Sequence, residues 1–432
     1  MYAFLHQCFD AASSVKAIAL FTEIRYRSLL GNQGSGVAKW GGGFQSPEME
    51  SAQPTSATSP ELELALRNRI FRWFWLWFGR LLITLMWIWI TCLWLMSLSL
   101  RYLGEANLCT AFLLFLPPLL WILPGLMMWP LALLTRWRAA VVLGAVAGVF
   151  FFTQAGWQVR KVTPALPRDQ RSSDSIVILT NNRGQGGGQS LRPFKNLIQP
   201  DIMVFQESSV PAATYLADPG YAEFKYGGTA NEFTLISRFP VGPAKLLTWE
   251  GSKNARPFVY AARFEVDWNG SMVAVYVVHL KSPREALLGI RWGGFLRGIP
   301  VPFKGWRDRK EKDMAFWRDQ ISIAEDLESQ VSADLLPCVV AGDFNAPHLG
   351  AIYRLLTRHL KNAHAEAGHG FGFTFPGETH NPLSLGGPWL RIDHVLMDSR
   401  WEVGACWTED LRKSQHRAVA AMLRLRPQLK NQ

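Results

Sequence analysis

Asp343 and Asn345 stand two residues apart where the apolar run Val339-Val340-Ala341 ends in Gly342 and the chain leaves through Pro347. A short apolar run closed by Gly and followed by Pro reads as a buried strand opening into a loop. Period-2 geometry at the end of that strand sends Asp343 and Asn345 to the same side. An ionised Asp holds a hard divalent cation through oxygen, and an Asn donates to or accepts from a phosphate oxygen or an attacking water. The pair fits a phosphoester site; equally, Asp and Asn before a proline make an Asx turn with no chemistry attached.

Other polar groups sit in or at the ends of apolar runs, where α/β folds gather catalytic side chains. Residues 175–182 read as a strand ending in Asn181-Asn182, 200–207 as one delivering Gln206-Glu207, and 273–281 as a β-prone segment carrying His279. An Asn turn, a solvated Glu and a packed His are the plain alternatives. Asp393 lies between apolar residues in 390–397, and a carboxylate buried there is costly unless it pairs with a histidine or a cation. His416 directly precedes a closing apolar strand; a surface-loop histidine is its plain alternative.

These strand ends need a scaffold. Short β-rich runs alternate with helical stretches such as 313–331, where Phe316, Ile323 and Leu327 form an apolar stripe. The alternation is that of an α+β domain.

Taken in order, Asn182, Gln206-Glu207, Ser237-Arg238-Phe239-Pro240, His279-Leu280, Gly342-Asp343-Phe344-Asn345, Ile392-Asp393-His394 and Ser414-Gln415-His416 resemble the motif series of the endonuclease/exonuclease/phosphatase superfamily. Each motif alone is weak and the ordered series is specific; it covers residues 172 to 426. The resemblance implies a deoxyribonuclease I-like sandwich of two mixed sheets face to face with helices outside. It also implies metal-assisted in-line attack on phosphorus. In that scheme Glu207, with Asn182, holds Mg²⁺ or Mn²⁺. His416 is the general base, His279 donates to the phosphate and is oriented by Asp393, and Asp343 and Asn345 position water and phosphoryl oxygens. One position departs from the series: Gln415 stands where the family carries an Asp beside the metal. A carboxamide can coordinate through oxygen but brings no charge. The site then either binds metal more weakly, takes another substrate, or is inactive.

Ahead of residue 160 the chain changes character. Leu81 to Leu100, Leu108 to Leu134 and Ala139 to Trp157 are nearly continuous apolar runs, each near the ~20 residues that cross a bilayer. Three transmembrane helices are expected over 66–160, the second interrupted by Pro117, Pro118, Pro124 and Pro130. Arg67, Arg69, Arg72 and Arg80 precede the first run, and Arg136 and Arg138 lie between the second and third. By the positive-inside rule the N-terminus is cytoplasmic and the catalytic domain extracytoplasmic, at a plasma (inner) membrane; Arg160 and Lys161 oppose this. Residues 1–65, rich in Gly, Ser, Pro and Thr, read as a disordered or linker-like segment.

The net charge of +11 over 432 residues suits an anionic partner. The five cysteines have no zinc-like spacing. Between His279 and Asp343 an insertion mixes Trp292, Phe295, Leu296 and Trp306 with Arg291, Arg297, Arg307 and Arg309. Such a mixture can stack on bases, lie on an anionic membrane, or pack as an ordinary loop. The expectation is a membrane-anchored, bacterial-type phosphoesterase whose partners are a lipid bilayer and a phosphate ester: nucleic acid, phospholipid or small phosphorylated molecule. A phospholipid phosphodiesterase is one alternative, and a catalytically inactive membrane-bound binding module is the alternative of another class.

Overall fold

The structure is a computed structural model that describes residues 60–184, 189–251, 257–300, 304–377, 387–410 and 412–426. Most of the expected linker, residues 1–59, lies outside the described residues. The chain divides into two compact units, Met1–Arg72 and Trp73–Gln432.

Helix α1 spans Pro60–Tyr102, α2 Leu108–Leu114 and α3 Leu119–Gln154. Strand β1 (Gln158–Val159) leads into β2 (Ser175–Asn182), α4 (Arg192–Ile198), β3 (Ile202–Gln206) and α5 (Ala212–Ala217). Then come β4 (Tyr226–Ala230), β5 (Phe233–Ser237), β6 (Lys245–Trp249), β7 (Phe258–Trp268) and β8 (Ser271–His279). After α6 (Arg284–Ile290) and α7 (Lys304–Ser332) follow β9 (Cys338–Asp343), α8 (Ala351–Leu356), β10 (Lys361–Asn362), α9 (Ala363–Ala367) and β11 (His369–Gly370). The chain closes with β12 (Asp393–Met397), β13 (Trp401–Thr408) and β14 (Val419–Leu425).

Two six-stranded mixed sheets result, ordered β10-β12-β9-β8-β7-β6 and β13-β14-β2-β3-β5-β4. Among the described residues, only β8–β9 and β2–β3 pair in parallel within them, each across a helical crossover. Alternate residues of each strand face the partner sheet: Ile176, Ile178, Ile202, Val204, Val275, Val277, Val339 and Ala341 form one core between the sheets. The intervening residues face helices. Val177, Leu179 and Met203 pack on Phe194 and Ile198 of α4, and Val340, Tyr276 and Val278 pack on Ile323 and Leu327 of α7. Burial on both faces explains why the central strands are continuous apolar runs. The expected α+β, deoxyribonuclease I-like sandwich is what the chain forms.

The apolar N-terminal part differs from expectation. Among the described residues two helices, not three, are long and apolar enough to cross a membrane, Leu62–Tyr102 and Leu119–Gln154. The expected second run is divided. Its first part becomes the short helix α2, capped by the Asn107 side chain on the Cys109 amide. The rest joins the third run as one helix kinked at Arg136 (φ −142°, ψ 55°). The kink is a reversal: Trp129 Nε1 donates to the Ala140 carbonyl at 2.9 Å, whereas eleven residues of straight helix span about 16 Å. Both legs pack on α1, Ala132 and Ala140 sharing a cluster with Leu82, Met86 and Ile90.

The segment between α1 and α3 is tied to the sandwich. Buried Glu105 accepts from the amides of Ala351 (2.6 Å) and Ile352 (3.2 Å) at the start of α8, a favourable place for a carboxylate. Trp389 Nε1 donates to the Phe115 carbonyl at 3.3 Å.

Candidate active site

Strand alternation and register assemble the site. On β8 the inward face runs Val275, Val277, His279; on β9 it runs Val339, Ala341, Asp343; on β12 it begins at Asp393 and continues through Val395. His279 is the register partner of Asp343, and Asp343 of Asp393, so the three form one row at the end of a sheet. The facing sheet offers the matching row Asn182–Gln206. Polar groups that would be costly in the middle of the core thus sit where the seam between the sheets opens.

Gly342 permits the close β8–β9 approach: a Cβ there would lie 2.0 Å from the Val278 carbonyl oxygen. Gln206 occupies the inward position and bonds Thr180. The left-handed backbone at Glu207 (φ 49°) then breaks the alternation, so that Glu207 also reaches the site. Asn182 bridges the sheets, its Nδ2 donating to Glu207 Oε1 and to Asp343 Oδ2, both at 2.9 Å. Its Oδ1 is taken by the Gly184 amide at 2.8 Å. Asn182, expected as an oxygen ligand, therefore turns its amide nitrogen to the carboxylates and holds them together.

Asn345 is both an Asx-turn residue and a site residue. With φ 46° its own amide donates to Asp343 Oδ1 at 2.8 Å, while its Nδ2 donates to the Leu280 carbonyl at 2.9 Å and to Asp343 Oδ2 at 3.3 Å. The turn fixes the Asp343 carboxylate.

His279 and His416 lie on either side of Asp343, their Nε2 atoms 3.9 and 3.8 Å from Oδ2. The Nδ1 of His416 meets Asp393 at 3.0 Å, so the expected pairing of Asp393 with His279 is corrected. The orienting partner of His279 is Glu232, 2.9 Å from its Nδ1. Glu232 escaped the sequence reading because it sits at the β4–β5 turn; the Ser208 amide, just past Glu207, donates to its carbonyl at 3.1 Å. Phe375, also missed, places its ring 4.9 Å from that of His416. His394 faces away, its Nε2 3.3 Å from the Ala346 carbonyl oxygen. Ser237, paired with Ile202 at the start of β3, belongs to the opposite end of the sandwich. Gln415 is exposed beside Gly184, and among the described residues no hydrogen bond joins its side chain to the cluster.

The electrostatics follow from burial in competition with charge. Burial, reinforced by Asp393, pushes the Asp343 carboxyl up to about 6, against the pull of His416 and His279. Burial would lower His416, yet Asp393 and Asp343 outweigh it and hold the imidazole at about 9. His279 is likewise raised: burial opposes, and Glu232, Asp343 and Glu207 prevail.

Two groups could hold a cation, Glu207 with His279 and Asp343, and Asp343 with Asp393 and His416, the ligand atoms of each within 4.8 Å of one another. Among the described residues His279 Nε2 is buried with no hydrogen-bond partner, and it lies 3.5 Å from Glu207 Oε1. Clustered carboxylate oxygens beside an unpartnered nitrogen are the donor set of a divalent metal site.

The Endonuclease/Exonuclease/phosphatase family model matches residues 176–416. The chain belongs to that family, whose members hydrolyse phosphate esters using divalent metals. No curated protein matches the sequence. Among solved structures, a humanized D. rerio TDP2 carrying 14 mutations is 14% identical over 58% of this chain and 99% of its own, with a TM-score of 0.39. An endonuclease/exonuclease/phosphatase from Beutenbergia cavernae is 16% identical over 58% of this chain and 72% of its own, at 0.39. Sphingomyelinase C from Streptomyces griseocarneus is 15% identical over 57% of this chain and 99% of its own, at 0.36.

Proposed function

We propose that the chain is a membrane-anchored, Mg²⁺- or Mn²⁺-dependent phosphoesterase that cleaves phosphodiester or phosphomonoester bonds. The observation that carries this reading is the row His279–Asp343–Asp393 set against Asn182 and Glu207, with His416 over it. Glu207 and Asp343 would hold the cation, which would supply positive charge against the phosphate and against the carboxylates that raise His416. His416 takes the proton of the attacking water at Nε2, and Asp393 stabilises the resulting imidazolium through Nδ1. His279, held by Glu232, donates from Nε2 to a phosphoryl oxygen. Asn182 and Asn345 fix the carboxylates between the two histidines. Gln415, on the rim, contributes no charge to the metal side.

A phospholipid phosphodiesterase is the second reading. What favours it is the path Phe115–Trp389–Phe375–His416, which ties the cover of the site to the segment just before α3. In the anchoring we propose, α1 and the two legs of α3 each cross the bilayer, placing the domain of residues 172–426 outside the cytoplasm. The test is hydrolysis of a generic phosphodiester and a phosphomonoester by the full chain in nanodiscs, with and without Mg²⁺. Cation-dependent turnover that is lost with His416→Ala supports the function. Turnover indifferent to chelation rejects the metal-dependent mechanism, and none on either ester rejects the function in favour of the inactive binding module.

A further inference from the structure

The insertion between β8 and β9 presents an apolar face to water. Leu288 on α6, Trp292 in the turn after it, Leu296 in the 3-10 helix Gly294–Gly298 and Ile299 just beyond are all exposed, Trp292 at 87%. The opposite side is spoken for: Ile290 and Phe295 share a buried cluster with Leu108 and Ala111 of α2 and with Met314 and Trp317 of α7. The rings of Phe295 and Phe112 stack at 4.5 Å, and Asn107 Nδ2 donates to the Gly298 carbonyl at 2.8 Å. A Cβ on Gly298 would lie 2.4 Å from Asn107 Oδ1, so this contact leaves no slack. The outward face is thus held in place by α2, and α2 lies between α1 and α3 in the chain.

The cations around it are unusual too. Arg284, Arg291, Arg307 and Arg309 are exposed, and among the described residues none is in an ion pair with a carboxylate. Arg291 lies over the Trp292 ring at 5.1 Å. An exposed apolar stripe with tryptophan at its centre and arginines at its margin is the composition of an element lying in a membrane interface.

We propose that residues 284–300 form an interfacial lipid-binding element, with Leu288, Trp292, Leu296 and Ile299 in the headgroup–acyl boundary and the surrounding arginines on anionic headgroups. This rests on the reading that α1 and α3 cross a bilayer: the element is fixed to the segment joining them, so the bilayer surface is the partner it must meet. Its consequence is that the site's open end, carried by His279 immediately before this insertion, works close to the lipid surface.

The test is photocrosslinking of the full chain in nanodiscs of phosphatidylcholine, alone or mixed with phosphatidylglycerol. A benzophenone amino acid replaces Trp292, Trp94 on α1, or exposed Leu335 at the far end of the domain. Lipid adducts at 94 and 292 but not at 335, with the 292 yield rising on phosphatidylglycerol and that rise lost in the Arg291→Gln/Arg307→Gln/Arg309→Gln variant, support the proposal. Adducts at 94 without any at 292 overturn it and leave the anchor standing. A protein adduct at 292 also overturns it, identifying the face as an interface with another chain. Absence of adducts at 94 removes the anchor and the proposal together.

Discussion

His279 and His416 approach Asp343 almost symmetrically, each with a carboxylate on its Nδ1, at 2.9 and 3.0 Å. The two arms differ in their surroundings. Asp393 begins β12 with its side chain fully buried, whereas Glu232 sits on a turn with its side chain 32% exposed. Coulomb attraction grows as the local dielectric falls; in both arms the carboxylates outweigh the burial of the imidazole, and Asp393 with Asp343 carries His416 up to about 9. On the open arm water screens the partner carboxylate. On the proposed mechanism these matching distances serve different roles: a base gains from a buried counter-charge that stabilises the imidazolium it becomes, and a donor to phosphate needs only orientation.

The comparison breaks first at His416. His416→Ala is expected to lower kcat by a factor on the order of 10² or more, and a comparable loss from His279→Ala alone, with His416→Ala normal, would reverse the two arms. Asp393→Asn should cost about tenfold and, because it removes the largest charge raising His416, should shift the limb of kcat/KM on which His416 is unprotonated to lower pH. An unmoved limb would assign it to another group.

On the open side, Glu207→Gln replaces a charged oxygen ligand by a neutral one, so the half-saturating Mg²⁺ concentration should rise by roughly tenfold, with turnover largely recovered at saturation. Unchanged metal dependence would take Glu207 out of the cation site. Glu232→Gln should cost only a few-fold, since a partly exposed partner is screened; a loss as large as that of Asp393→Asn would show that exposure does not separate the arms. The smallest effect is expected from Gln415→Asp, a modest tightening of Mg²⁺ binding from one added charge on the rim. Activity that falls in this variant would make Gln415 a specialised residue.

How much of this is readable in one dimension follows from where each residue sits. Asn182, His279, Asp343 and Asp393 end or begin strands buried on both faces and Glu207 directly follows one, and such strands announce themselves as apolar runs with a polar terminus. Glu232 and Phe375 lie at a turn and an isolated bridge, where no periodicity marks them. The pairing of Asp393 with His416 rather than His279 depends on how the loop before β14 returns across the gap between sheets, which local pattern does not encode. The same holds in the apolar N-terminal part. Hydropathy locates the apolar runs and Pro117-Pro118 mark where the second divides, but the docking of its first part through Glu105 and Asn107 and the reversal at Arg136, packed on α1, are tertiary.

Sequence by itself determined the family, the α+β class and the identity of the main polar groups, because strand alternation and motif order are local properties of the chain. The tertiary structure alone decided which carboxylate serves which histidine, the direction of the Asn182 amide, and the face that the insertion turns outward. Those depend on distances of a few ångströms between segments far apart in the chain, and on the burial that sets how strongly charges act across them.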